Sequence, residues 1–166
     1  MIVLGIDPGY AIVGYGVIKS EGNRLEAVDY GRITTEAHSP FALRLHTIHI
    51  ELNQLLKRHN PDRVAVEQLY MNTNTKTAIS VAQSRGAILL TAALHGAPVY
   101  EYTPLQIKMA VTGYGQADKQ QIIYMVKTLL NLPKAIKWDD TADALAVAIC
   151  HANSSGLDRA ANGANA

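Results

Sequence analysis

The chain has 166 residues, of which 48% are hydrophobic and 17% charged, with a formal net charge of +1. This is the size and balance of one soluble globular domain, able to bury a core without disulfide or metal staples. No stretch reaches the roughly 18 apolar residues of a membrane span, and Met1 leads directly into strand-like residues without a basic leader. The one cysteine, Cys150, stands in an apolar run and reads as a buried, inert thiol suited to a reducing cytoplasm. Divided along the chain, the charge is uneven. Residues 1–67 hold seven Lys/Arg against eight Asp/Glu, residues 68–137 seven against two, and residues 138–166 one against four. A middle of +5 between ends of −1 and −3 suggests a basic surface beside an acidic centre, though solvated lysines alone would give the same count.

Ile2 to Asp7 reads as a buried strand closed by the Asp7-Pro8-Gly9 turn. Strands over 12–18 and 25–35 follow at short spacing, which implies an antiparallel meander. A helix is then expected from Ser39 as cap and Pro40 at its first position, with the apolar stripe Phe41, Leu45, Ile48, Leu52, Leu55 and Leu56. Arg63 to Glu67 reads as a fourth strand, 75–95 as a long apolar helix, and Pro98 to Tyr102 as a fifth strand. Two helices open on capping boxes, Thr103 with Gln106 and Asp118 with Gln121. The last helix, from Asp140 to His151, is rich in alanine and can lie close to a sheet. The single domain is expected over 1–153, with 154–166 a disordered tail of small polar residues. Helical crossovers would place strands four and five parallel to the first. The fold class expected is therefore α/β: a five-stranded mixed sheet flanked by helices, with Asp7 and Glu67 neighbours at its carboxyl edge.

Asp7 and Glu67 each end an apolar run, where an ionised carboxylate is costly unless a cation meets it. Asp140 and Asp143, three apart, share one face of the last helix's first turn. Four such groups at one point would repel unless divalent cations neutralised them. Hard oxygen ligands favour Mg²⁺ or Mn²⁺, and two ions roughly 4 Å apart can activate water and stabilise the leaving oxygen in phosphodiester hydrolysis. Each acid alone has a plainer reading, as a turn residue, a solvated strand end or a helix cap. Asp143 lies past any cap among small or apolar neighbours, and capping does not account for it. Lys108 and Lys119 lie near helix amino termini, whose N–H groups suit phosphate. Lys76 and Arg85 bracket the turn after Tyr70 and are candidates for following a DNA backbone. His46 and His49 lack a third ligand and read as a polar helix flank. His151 lies too far beyond Asp143 to share its ligand set.

The segments Ile6-Asp7-Pro8-Gly9 through Gly14-Tyr15-Gly16-Val17, Val66-Glu67-Gln68-Leu69-Tyr70, Tyr102-Thr103-Pro104-Leu105-Gln106-Ile107-Lys108 and Asp140-Thr141-Ala142-Asp143-Ala144-Leu145-Ala146 carry a resemblance. In order and spacing, from residue 1 to about 152, the chain resembles the bacterial RuvC family of Holliday junction resolvases. The resemblance implies a ribonuclease-H-like fold and a metal-dependent endonuclease acting in DNA recombination and repair. It places the family's metal-binding carboxylates on Asp7, Glu67, Asp140 and Asp143, with two Mg²⁺ per site and Mn²⁺ as an alternative. It also implies contact of Lys108 and Lys119 with the cleaved phosphate, and DNA contact by Tyr70, where the family often carries phenylalanine. Asp139 adjoins Asp140 and leaves the third ligand open. Partners implied are four-way junction DNA, a second copy of the chain in a homodimer that nicks symmetrically, and a branch-migration motor of the RuvA and RuvB type, all in the cytoplasm and without a membrane. Three other functions share part of this pattern. An actin-like ATPase needs two such domains. A small nuclease processing ribosomal RNA precursors shares the hairpin but lacks the Glu-Gln-aromatic segment. A catalytically inactive junction-binding protein would not need all four acids.

Overall fold

A computed structural model describes residues 1–69 and 75–163, with side chains described over 1–69 and 77–154. Its elements in chain order are β1 (Ile2–Asp7), β2 (Ile12–Glu21), β3 (Arg24–Thr34), α1 (Phe41–His59), β4 (Arg63–Glu67), α2 (Thr75–His95), β5 (Val99–Tyr102), α3 (Pro104–Thr112), α4 (Lys119–Leu129) and α5 (Asp139–Gly163). The sheet order is β3-β2-β1-β4-β5. The first three strands form the antiparallel meander, and β4 and β5 run parallel to β1. This is the expected mixed sheet.

Alternation along β1 divides the core into two layers, because successive side chains leave opposite faces of a strand. Leu4 and Ile6 pack with Ile48, Leu52 and Leu56 of α1 and Ile88 and Ala92 of α2. Val3 faces the other way, into a cluster with Leu145 and Ile149 of α5, Ile107 of α3 and Ile122 of α4. The helix α5 lies almost on the strands. A Cβ placed on Gly5 would stand 2.2 Å from the Ala144 carbonyl oxygen, and Ala142, Ala144 and Ala148 are fully buried. Small residues on both surfaces make that approach possible, as the alanine content predicted. Thr141 fixes it further by donating to the Gly31 carbonyl of β3 at 3.1 Å.

Both capping boxes form, Thr103 with Gln106 and Asp118 with Gln121. Two helices differ from expectation at their ends. Pro40, not Ser39, is the cap residue of α1, and the Ser39 hydroxyl instead closes a local turn on the Glu36 carbonyl. The backbone of α5 starts at Asp139 and continues to Gly163, so both aspartates lie inside its first turn and the stretch read as a tail from 154 begins within the helix. Alanines 160 and 161 are good helix formers, and no proline interrupts the run. Among the described helices α2 has the length and hydropathy of a membrane span. Its buried Ser84, Ile88, Thr91 and Ala92 instead seat it on the sheet and α1, where His49 Nδ1 and the Thr91 hydroxyl lie 2.9 Å apart.

Candidate active site

Parallel pairing of Ile6 with Val66 brings the next residues, Asp7 and Glu67, to the same edge of the sheet. Asp7 is also opposite Gly14 on β2, and Gly14 lies under the start of α5. The four acids therefore come from three elements, β1, β4 and α5, whose positions are fixed by sheet register and by close helix packing.

Their electrostatics record the crowding. Burial, followed by Asp143, Glu67 and Asp140, pushes the Asp7 carboxyl up to about 8, with Lys119 opposing. Asp7 thus keeps its proton at neutral pH in the absence of a cation. Burial and Asp143 also raise Glu67, while Lys119 and a hydrogen bond from Asp7 pull it back. Burial raises Asp143 as well, against the pairing with Lys119. Lys119 and Asp143 are in direct ion contact. Burial works against the Lys119 charge, but Asp143, Asp139 and Asp7 outweigh it and raise its pKa. Asp140 acts directly on Asp7, whereas Asp139 acts on Asp143 and Lys119 and is exposed.

The donor set suits a hard divalent cation: carboxylate oxygens alone, with more negative charge than Lys119 offsets. As the side chains stand, no three His, Cys, Asp or Glu among the described residues close on one point as an ion's ligands would.

A cleft of about 300 Å³ opens beside the acids, lined by Glu67, Asp143, Lys108 and Lys119 among others. A second, of about 240 Å³, is lined by Asp7, Glu67 and Arg85, and Glu67 and Pro104 belong to both. Six of the nine site residues read from the sequence thus line these two adjoining clefts: Asp7, Glu67, Asp143, Lys108, Lys119 and Arg85. Asp140 adjoins them through Asp7. Tyr70 falls outside the described residues, as does the side chain of Lys76. Arg85 is placed otherwise than a free DNA contact: its guanidinium pairs with Glu101 at 2.6 Å and bonds the Glu67 carbonyl at 3.3 Å. Sequence reading did not single out Glu101, the partner of Arg85 in that arrangement, or Ser84, whose hydroxyl bonds the Gly9 carbonyl. A lone acid within the +5 segment was the signal available for Glu101. His46 and His49 gather no metal site among the described residues. His151 is buried beneath Tyr100 and Tyr102, its Nδ1 2.7 Å from the Tyr102 hydroxyl.

Comparison with known proteins gives consistent matches. The model of the family described as crossover junction endodeoxyribonuclease RuvC matches residues 3–151. The crossover junction endodeoxyribonuclease RuvC of Alkaliphilus oremlandii is 58% identical over 153 residues, covering 92% of this chain and 93% of that one. That of Desulfitobacterium hafniense is 59% identical over 157 residues, 95% of each. Among solved structures, the fold superposes on T. thermophilus RuvC in complex with Holliday junction substrate with a TM-score of 0.90, at 34% identity over 95% of this chain and 96% of that one. The yeast mitochondrial resolvase Ydc2, at 17% identity and a TM-score of 0.71 over 96% of this chain and 81% of that one, shares the fold.

Proposed function

The chain belongs to the RuvC family of crossover junction endodeoxyribonucleases, and we propose on that premise that Asp7, Glu67, Asp140 and Asp143 form its catalytic centre. The function is that of the family, endonucleolytic resolution of Holliday junctions. The observation carrying the residue assignment is the meeting of four acids from three elements beside Lys108 and Lys119. Nothing in the packing of a plain α/β domain asks for four half-buried acids this close together, an arrangement that costs stability until a cation offsets it.

Divalent metal fits this donor set, and we propose Mg²⁺, with Mn²⁺ able to replace it, at two ions per site; when bound they supply water activation and stabilisation of the departing oxygen. The chain's own groups do the rest. Asp7 and Glu67, fixed by sheet register, and Asp140 and Asp143, fixed by α5, hold the ligand oxygens. Asp7 would hold a cation in its ionised form. Lys119, which pairs with Asp143, and Lys108 both line the groove, where their ammonium groups would meet the non-bridging oxygens of the scissile phosphate. The amino terminus of α4 directs its N–H groups to the same side. Tyr70, three residues past Glu67, is proposed to stack on a base unpaired at the crossover, and Lys76 to follow the backbone.

A homodimer is proposed as the working unit, because a four-way junction presents two equivalent phosphates and a two-fold dimer matches them. The exposed stripe Ile79, Leu90 and Leu94 on α2, 61%, 61% and 71% accessible, supports this. A branch-migration motor of the RuvA and RuvB type and a cytoplasmic location complete the proposal. The deciding experiment incubates a four-way junction and a linear duplex with the protein in Mg²⁺ and in EDTA. Paired nicks in the junction alone, and only with Mg²⁺, are expected. Cleavage in EDTA, or equal cutting of the duplex, would contradict the assignment.

A further inference from the structure

Two consecutive side chains of α2 reach the ends of both strands that carry the inner carboxylates. Ser84 is fully buried, and its hydroxyl donates to the Gly9 carbonyl at 2.6 Å, two residues beyond Asp7. The turn there is tight, since a Cβ on Gly9 would stand 2.0 Å from the Ile12 carbonyl oxygen. Arg85 donates through Nε to the Glu67 carbonyl at 3.3 Å and through Nη2 to Glu101 Oε1 at 2.6 Å. Glu101 stands on β5, whose next residue, Tyr102, pairs with Glu67. The Arg85 side chain is only 17% exposed. A planar guanidinium held at two of its nitrogens has a fixed orientation, and the strand end it bonds is fixed with it.

We infer that Ser84 and Arg85, the latter oriented by Glu101, are positioning residues that set the spacing of Asp7 and Glu67, and that Arg85 is not a DNA ligand. The inference rests on the proposed carboxylate site. One helix turn bonds the loop after β1 and the end of β4, so it holds the two carboxylate-bearing strand ends at the spacing that sheet register brings them to. Groups that orient metal ligands in this way typically change metal affinity by 10- to 100-fold when altered.

The test uses the full chain with Arg85→Lys, Glu101→Gln and the double variant. Mn²⁺ binding is followed by calorimetry without DNA, junction binding by mobility shift in EDTA, and folding by thermal melts. Lysine reaches Glu101 or the Glu67 carbonyl but cannot hold both in the fixed fork, and it keeps the charge. The expected result is Mn²⁺ affinity about 10-fold weaker in each single variant, with junction affinity in EDTA unchanged and the double variant no worse than either single one. Unaltered Mn²⁺ affinity in Arg85→Lys would overturn the inference. So would tighter junction binding by Glu101→Gln, which would mean that a DNA-contacting arginine had been freed. Failure of the parent to bind Mn²⁺ at all would instead remove the carboxylate site, and this inference with it. Ser84→Ala supplies a variant independent of the ion pair. Loss of one hydroxyl should weaken Mn²⁺ binding in the same sense, and an unchanged affinity there would remove Ser84 from the assignment.

Discussion

Gly14 and Asp140 are in backbone contact: a Cβ on Gly14 would stand 2.0 Å from the Asp140 carbonyl oxygen. The contact sets how near the first turn of α5 comes to β2, and through β2 to Asp7, the residue opposite Gly14. Gly14→Ala must therefore push the start of α5 outward. Overpacking of this kind costs about 1–3 kcal/mol, and a displacement of about 1 Å in a catalytic group can cost roughly 100-fold in rate. Junction cleavage should fall by about that factor, with a melting temperature lowered by only several degrees. A Gly14→Ala protein that cuts at the parental rate would show that Asp140 has no part in the chemistry.

Asp7 supplies a prediction about pH. Its carboxyl rises from an ordinary 3.8 to about 8 in the fold. Between those values the folded state holds a proton that the unfolded state has lost. Stability of the metal-free protein should therefore fall as pH rises through this window and level off above it. Asp7→Asn removes the titrating group while keeping its shape. In EDTA the variant should melt several degrees above the parent at pH 8, the gap narrowing toward pH 4. Mg²⁺ should stabilise the parent and not the variant. Cleavage should be lost in Asp7→Asn and junction binding kept. Equal melting of the two proteins in EDTA at pH 8 would mean that Asp7 is not under the strain described.

How much of this was readable beforehand depended on whether a residue's neighbours were local. Asp7 and Glu67 were legible because each closes an apolar run, and sheet register did the rest. Asp143 was legible because helix capping left it unexplained. The capping boxes at Thr103 and Asp118 were complete within four residues and formed as read. Helix α5 runs from Asp139 to Gly163, one residue earlier and twelve later than the stretch read as helix. An Asp pair before an apolar run fits a cap as well as a first turn, and small residues that suit a tail also suit a helix. The Arg85–Glu101 pair joins α2 to β5 across 16 residues. No periodicity in either segment marks it, so the partner of this half-buried arginine was not legible in the sequence.

Lys119 tests the basic side of the groove. In the middle segment seven Lys/Arg face two acids, and one of those acids, Glu101, is paired with Arg85. Junction affinity should therefore fall steeply with salt, and Lys119→Ala should lower the slope of log K against log salt by about one. Arg85→Lys should leave that slope unchanged. Mobility shifts across a salt series in EDTA measure both. An affinity indifferent to salt would mean that the uneven charge is solvated lysine and nothing more.

The outer face of α2 carries the prediction about assembly. Ile79, Leu90 and Leu94 fall at helical spacing and are more than half exposed, while Ile88 and Ala92 on the same helix are fully buried. The intervening Gly86 has nothing within 4 Å of a Cβ placed on it, so the stripe is open for a partner helix to approach. An exposed apolar surface of this kind marks an interaction site when contiguous. A two-fold contact would repeat it against itself. Leu90→Glu together with Leu94→Glu would place four new charges in such a contact, two from each copy, without disturbing the buried face. Light scattering at micromolar concentration should report a dimer for the parent and a monomer for the double variant. The variant should then nick junctions singly, leaving a nicked four-way junction rather than two ligatable duplexes. Its far-ultraviolet circular dichroism should match that of the parent, since neither leucine contributes to the core. A double variant that stays dimeric and nicks in pairs would move the interface away from α2, and a parent that is monomeric both free and on the junction would contradict the dimer itself.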